Sequence, residues 1–187
     1  TVAVLTLIYT MSELHRLTSE YIQSEDRFRL TGEDKDGNAL CLWLTQRLAL
    51  RIISHLVAEI SISSPEAIQN PSQDSHTSQL LQGFAQQAAQ VDITPQKAVP
   101  STSTTRALLI QEVDINRATD GAVGFIFKDN VKEKISLGFP PQQLRQWLIM
   151  MHSQWLVAEW PVNVWPEWIT GKNTEQQPPP ETGKPIH

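Results

Sequence analysis

One cysteine, Cys41, occurs among 187 residues, and that scarcity excludes a disulfide framework within the chain. A lone thiol fits a reducing compartment, so the expected location is the cytoplasm. Surplus positive charge is missing too: 20 acidic side chains outnumber 15 basic ones, giving a formal charge of -5 and a pI near 5.5. A phosphate backbone would find no electrostatic footprint here, and nucleic acid is not an expected partner. The apolar opening, TVAVLTLIYT, is ten residues long. That is too short for a membrane span, and it lacks the basic start of a signal peptide. Its Val2, Val4, Leu5, Leu7 and Ile8 predict a strand. Met11, in MSELHR, is an alternative start that would make those ten residues an upstream extension.

The chain also lacks the short motifs that carry chemistry. It has no GxGxxG, no Walker loop and no GxSxG, so no catalytic or cofactor-binding residues are assigned from sequence. The five histidines, His15, His55, His76, His152 and His187, are scattered without zinc-ligand spacing, and no metal or other cofactor is expected. Cys41 lies between leucines in a strand-like run, where cysteine acts as a small hydrophobe. GEDKDGN resembles part of a calcium loop, but Leu44 and Thr45 stand where the later acidic ligand belongs, so it reads as a hairpin turn. Glu25, Asp26, Arg27 and Arg29 read as solvent-facing charges at a strand start rather than an acid-base pair. His152 lies beside a helical apolar stripe, where packing is its simpler role. Arg47, Arg51, His55 and Glu59 recur every fourth residue and describe a solvated helix face, with a local basic patch for an acidic partner as the functional reading.

What the chain does contain is a strand and helix order written twice. Phe28 and Leu30 alternate with polar neighbours, EDKDGN turns, ALCLWL forms a second strand, and Ala49, Ile52, Ile53, Leu56, Val57 and Ile60 recur at helical spacing after Thr45, with Pro65 beyond the expected end. From Ala122 the order returns: Phe125 and Phe127, a turn with Asp129 and Asn130, a strand with Ile135, Leu137 and Phe139, then a helix opened by Pro140 and Pro141 with Leu144, Trp147, Leu148, Met151, Trp155 and Ala158 as its stripe. Extra strands are expected near SEYIQS and RALLIQEVDI. The expected fold is α+β: two similar β-hairpin(-strand)-helix units, 1–64 and 105–170, sharing one core. The same pattern also describes two unrelated hairpin-helix pieces in one domain. Between them, 65–104 should hold a connecting helix with an apolar stripe of Leu80, Leu81, Phe84, Ala88 and Val91 behind Asp74, followed by VPSTSTT as a mobile linker. Residues 171–187 have little to bury and are expected to be disordered.

Five of the six tryptophans follow residue 146. Trp147 and Trp155 belong to the helix stripe. Trp160 falls at its end, because Pro161 disfavours helical geometry in the residue before it, and PVNVWPEW should run extended as a strap. Such a strap either folds back to close the core or presents Trp160, Trp165 and Trp168 to another chain, as aromatic hot spots do. The expected function is a non-catalytic interaction or assembly module, in contact with a protein partner or a second copy through sheet edges and these aromatics. The alternative is a small-molecule-binding or enzymatic domain with a site between the halves, where His152, Arg51 or Cys41 point inward.

Overall fold

In a computed structural model of the protein, the described residues are 11–62, 75–131 and 133–171. Expectations for the first ten residues, Pro65, Asp74 and the tail after Gly171 lie outside them. Seven strands form one sheet: β1 (Ser12–Ile22), β2 (Arg27–Asp34), β3 (Ala39–Leu44), β4 (Arg106–Leu109), β5 (Glu112–Arg117), β6 (Val123–Lys128) and β7 (Lys134–Phe139), ordered β4-β3-β2-β1-β7-β6-β5. β1 runs parallel to β7 and β3 to β4, while the other neighbours are antiparallel. Among the described residues the helices are α1 (Gln46–Ile62), α2 (Ser75–Val91), α3 (Pro141–Val157) and the single turn α4 (Glu167–Thr170). The fold is therefore α+β, with a mixed sheet.

That sheet cannot be flat. Seven strands about 4.8 Å apart would separate β4 from β5 by about 29 Å. Only Ile110 and Gln111 join them, and three Cα steps reach at most about 11 Å. The sheet curls until its two edges meet at this corner, where Ile110 N–H donates to the Trp43 carbonyl and Gln111 N–H to the Lys128 carbonyl. RALLIQEVDI is thus two strands on opposite edges rather than one. β1 is longer than expected because a bulge between Leu14 and Arg16 interrupts its alternation, which hides the strand from a period-two reading.

The β2–β3 and β6–β7 hairpins form where polar turn chemistry interrupts apolar alternation. Asp34 closes the β2–β3 turn by accepting the N–H groups of Asp36 and Asn38 at 2.9 and 2.8 Å, and Gly37 supplies the required positive φ of 82°. The Asn38 side-chain amide, donating to Asp34 Oδ2 at 2.9 Å, and then the Asn38 N–H hold this carboxyl below the usual range. Asp129 acts likewise between β6 and β7, accepting from Val131 and Glu133. VPSTSTT is not free: Val99 is buried, and its N–H donates to Thr18 Oγ1 at 2.8 Å.

A single core runs from Phe28, Leu30 and Leu42 through Ile53 and Leu56 to Phe125, Leu148, Met151 and Trp155. Leu144, Trp147, Leu148, Met151 and Trp155 are the buried face of α3. Its end explains the tryptophan corner. Glu159 takes a positive φ of 54°, Glu159 N–H donates to Leu156 O and Trp160 N–H to Trp155 O, and the Trp155 and Trp160 rings meet edge to face at 5.0 Å. This is a Schellman cap, with glutamate where glycine is favoured.

PVNVWPEW is not the extended strap expected. Pro161 precedes a 3-10 turn at Val162–Val164, and Pro166 precedes α4, because a φ fixed near -65° opens a helical turn as readily as it ends one. Removing the left-handed strain should stabilise the fold: Glu159→Gly is expected to gain about 0.5–1 kcal/mol and Glu159→Val to lose at least as much, both measured by urea unfolding.

Candidate functional site

Trp160, Trp165 and Trp168 are buried within this chain, at 6, 6 and 5% exposure. Phe28 and Trp160 lie edge to face at 5.0 Å, and so do Trp155 and Trp165 at 5.5 Å. Trp160 Nε1 and the Tyr21 hydroxyl both donate to Asp26 Oδ1. Trp168 lies under the Arg145 guanidinium, 5.6 Å from its carbon. Their position is that of a plug between α1, α3 and the sheet.

The exposed apolar surface lies elsewhere. α2 packs chiefly on α3 and α4 rather than on the sheet, and it does so with the opposite face from the one its sequence predicts. Gln82, Gln86 and Ala89 are buried at 7, 3 and 2% exposure, whereas Leu81, Phe84 and Val91 are exposed at 41, 65 and 84%. Arg145 holds that face. Its Nη1 donates to Gln86 Oε1 at 3.2 Å and its Nη2 to Gln82 Oε1, while Gln86 Nε2 returns a bond to the Arg145 carbonyl at 3.0 Å. Gln82 Nε2 also donates to the Ile60 carbonyl, which ties α2 to the end of α1. Burial first, and then the like charge of Arg117, lower the Arg145 pKa from its ordinary value.

Arg117 and Arg145 face one groove. Leu56, Glu59 and Ile60 of α1, Gln82 of α2, Arg117 and Val123 of β5 and β6, Gly121 in their turn, and Pro141, Leu144 and Arg145 of α3 line an open cleft. A second hollow, lined also by His55 and Ile115, shares Leu56, Glu59, Arg117 and Val123 with it. The groove lies between elements of the first and second halves.

None of His152, Arg51 and Cys41, the residues expected to point into such a cleft, lines it; of the helical stripe expected on a solvated face, Glu59 lines the cleft and His55 the second hollow. Arg51 is exposed outside it. Cys41 is buried beside the Thr31 hydroxyl, with Sγ and Oγ1 3.7 Å apart. His152 is half-buried against the edge of Trp165, their ring centroids 5.1 Å apart. Sequence reading missed Arg117 and Arg145, which stand alone on separate elements and form no motif. The one available signal was a glutamine-rich helix with no charged partner for its polar face.

No protein family, curated protein or solved structure matches this chain.

Two outcomes follow from these contacts. Gln86→Leu removes a buried acceptor from a guanidinium and should cost about 1–3 kcal/mol in urea unfolding. Burial lowers the His152 pKa, so as the pH falls below about 6.5 the unfolded chain takes up a proton before the folded one does, and stability declines. His152→Asn should therefore shrink the fall in melting temperature between about pH 7 and about pH 5.5.

Proposed function

We propose that the protein is a non-catalytic assembly module that pairs with a second copy of itself through α2. The observation that carries this reading is the outward apolar stripe of α2, turned to solvent while Gln82 and Gln86 are buried. Isolated exposed hydrophobics need no explanation, but a stripe along a helix marks a contact surface.

A second copy fits this face better than an unlike partner does. The stripe Leu81, Phe84, Ala88, Val91 is spaced symmetrically about position 86. In an antiparallel pair crossing there, Phe84 of one copy meets Ala88 of the other, large against small, and Leu81 meets Val91. A two-fold contact needs such self-complementarity. Ser75–Val91 contains no Asp, Glu, Lys or Arg, so two copies of a net-negative chain meet here without repulsion, and there is no charge to select a different partner. The sheet offers less: its edges are only four and six residues long and carry ion pairs such as Lys128 with Glu112 and Asp114. We place the contact on α2 rather than on Trp160, Trp165 and Trp168 because those rings are buried.

The proposal includes an internal duplication of units 1–64 and 105–170, joined by 65–104. Its support is that β1-β2-β3-α1 and β5-β6-β7-α3 are both antiparallel three-strand meanders followed by a 17-residue helix. The strand order reads β3-β2-β1, then β7-β6-β5, so the units follow each other head to tail. A cytoplasmic location belongs to the same proposal and rests on the lone buried cysteine. Among the described residues no helix is long and apolar enough to cross a membrane.

Sedimentation velocity from about 1 to about 200 μM should show monomer giving way to dimer. Phe84→Glu, at an exposed position, should stay monomeric throughout and keep its fold by circular dichroism. A wild-type protein that remains monomeric, or a variant that dimerises as well as wild type, would overturn the reading.

A further inference from the structure

The α2 surface leaves the groove behind it unexplained. Its walls alternate apolar groups with guanidinium groups. Arg145 is half-buried, yet its hydrogen-bond acceptors are two neutral glutamine oxygens and its stacking partner is Trp168. Among the described residues no carboxylate bonds it. A partly desolvated guanidinium held by neutral groups, with a second guanidinium near enough to act on it through its charge, is a local excess of positive potential.

The start of α3 adds to that excess. Its first turn has no acidic residue and no side-chain cap, so its N–H groups present the positive end of the helix dipole. Arg117 lies close by. A β-carbon at Gly121, whose φ is 85°, would stand 3.2 Å from Pro141 Cγ and 3.8 Å from Arg117 Nη2. The missing side chain thus lets the β5–β6 turn approach the helix end with Arg117 beside it. Arg117 is itself held by donating to the Glu59 carbonyl at 3.2 Å. Leu56, Ile60, Val123 and Leu144 complete an apolar wall, and Glu59 marks the side from which an anion is repelled.

We infer that this groove binds a small organic oxyanion, its carboxylate or phosphate head between Arg117 and Arg145 and its apolar body along Leu56 and Val123. Arginine suits this task because its planar fork donates two parallel hydrogen bonds to either head. Glu59 orients the ligand, directing the head toward Arg145 and the body toward Ile115.

Isothermal titration of the full chain with inorganic phosphate, pyrophosphate and succinate, each against sodium chloride of matched ionic strength, tests this. At least one of the three should bind saturably, and whether succinate or the phosphates bind more tightly identifies the head group. Arg117→Gln, at an exposed strand end, should weaken that binding at least tenfold, and Arg145→Gln should do the same. Arg51→Gln removes an equal charge outside the groove and should leave binding unchanged. Saturation by none of the three, retained affinity in Arg117→Gln, or an equal loss in Arg51→Gln would overturn the inference. Repeating the titration in Phe84→Glu separates it from self-association, because the groove does not include Phe84.

Discussion

A half-buried guanidinium must find acceptors, and Arg145 finds them in Gln82 and Gln86. Leaving such a group buried without hydrogen bonds is strongly unfavourable. α2 therefore docks by its polar face and leaves Leu81, Phe84, Ala88 and Val91 outside. The same anchoring ties the connecting helix to α3 through Arg145 and Gln146, and to α1 through the Ile60 carbonyl. Outward apolar stripe and positively lined groove are two sides of one arrangement, with Gln82 at their boundary.

Around that anchor the curled sheet and the aromatic corner divide the work of enclosing the core. The Ile110–Gln111 corner brings the sheet edges together, so α1 and α3 pack on a single curved surface. The Schellman turn at Glu159 then sends the chain back over the opening, where Trp160, Trp165 and Trp168 fill the remaining volume. Satisfied indole nitrogens hold this plug in place: Trp155 donates to the Pro161 carbonyl, Trp160 to Asp26, and Trp147 to Ser19. Trp165 Nε1 is buried with no such partner among the described residues.

The parts legible in the sequence were those governed by local chemistry. Asp34 with Gly37, Asp129, Thr45 and the paired prolines at 140 and 141 mark their turns and helix starts because the deciding contacts lie within a few residues. What the sequence concealed depends on residues far apart. The strand in SELHRLTSEYI is masked by a bulge, and the split of RALLIQEVDI between two sheet edges follows from curling that no local signal encodes. The inversion of α2 depends on an arginine 59 residues from Gln86. Hydrophobic periodicity finds a helix's apolar face correctly but assumes that this face turns inward. That assumption fails here, and with it failed any view of Arg117 and Arg145 as neighbours.

The orientation of α2 is the claim on which the rest stands, and two adjacent alanines report it with little disturbance. Ala88 is exposed and Ala89 is buried at 2% exposure, while the native Cys41 is buried and provides a silent background. Thiol labelling of Ala88→Cys and Ala89→Cys at low protein concentration should be fast at 88 and slow at 89, because a buried thiol reacts only through local opening. The reverse order would place the apolar stripe inside, and would contradict both the Arg145 anchor and the surface it leaves exposed.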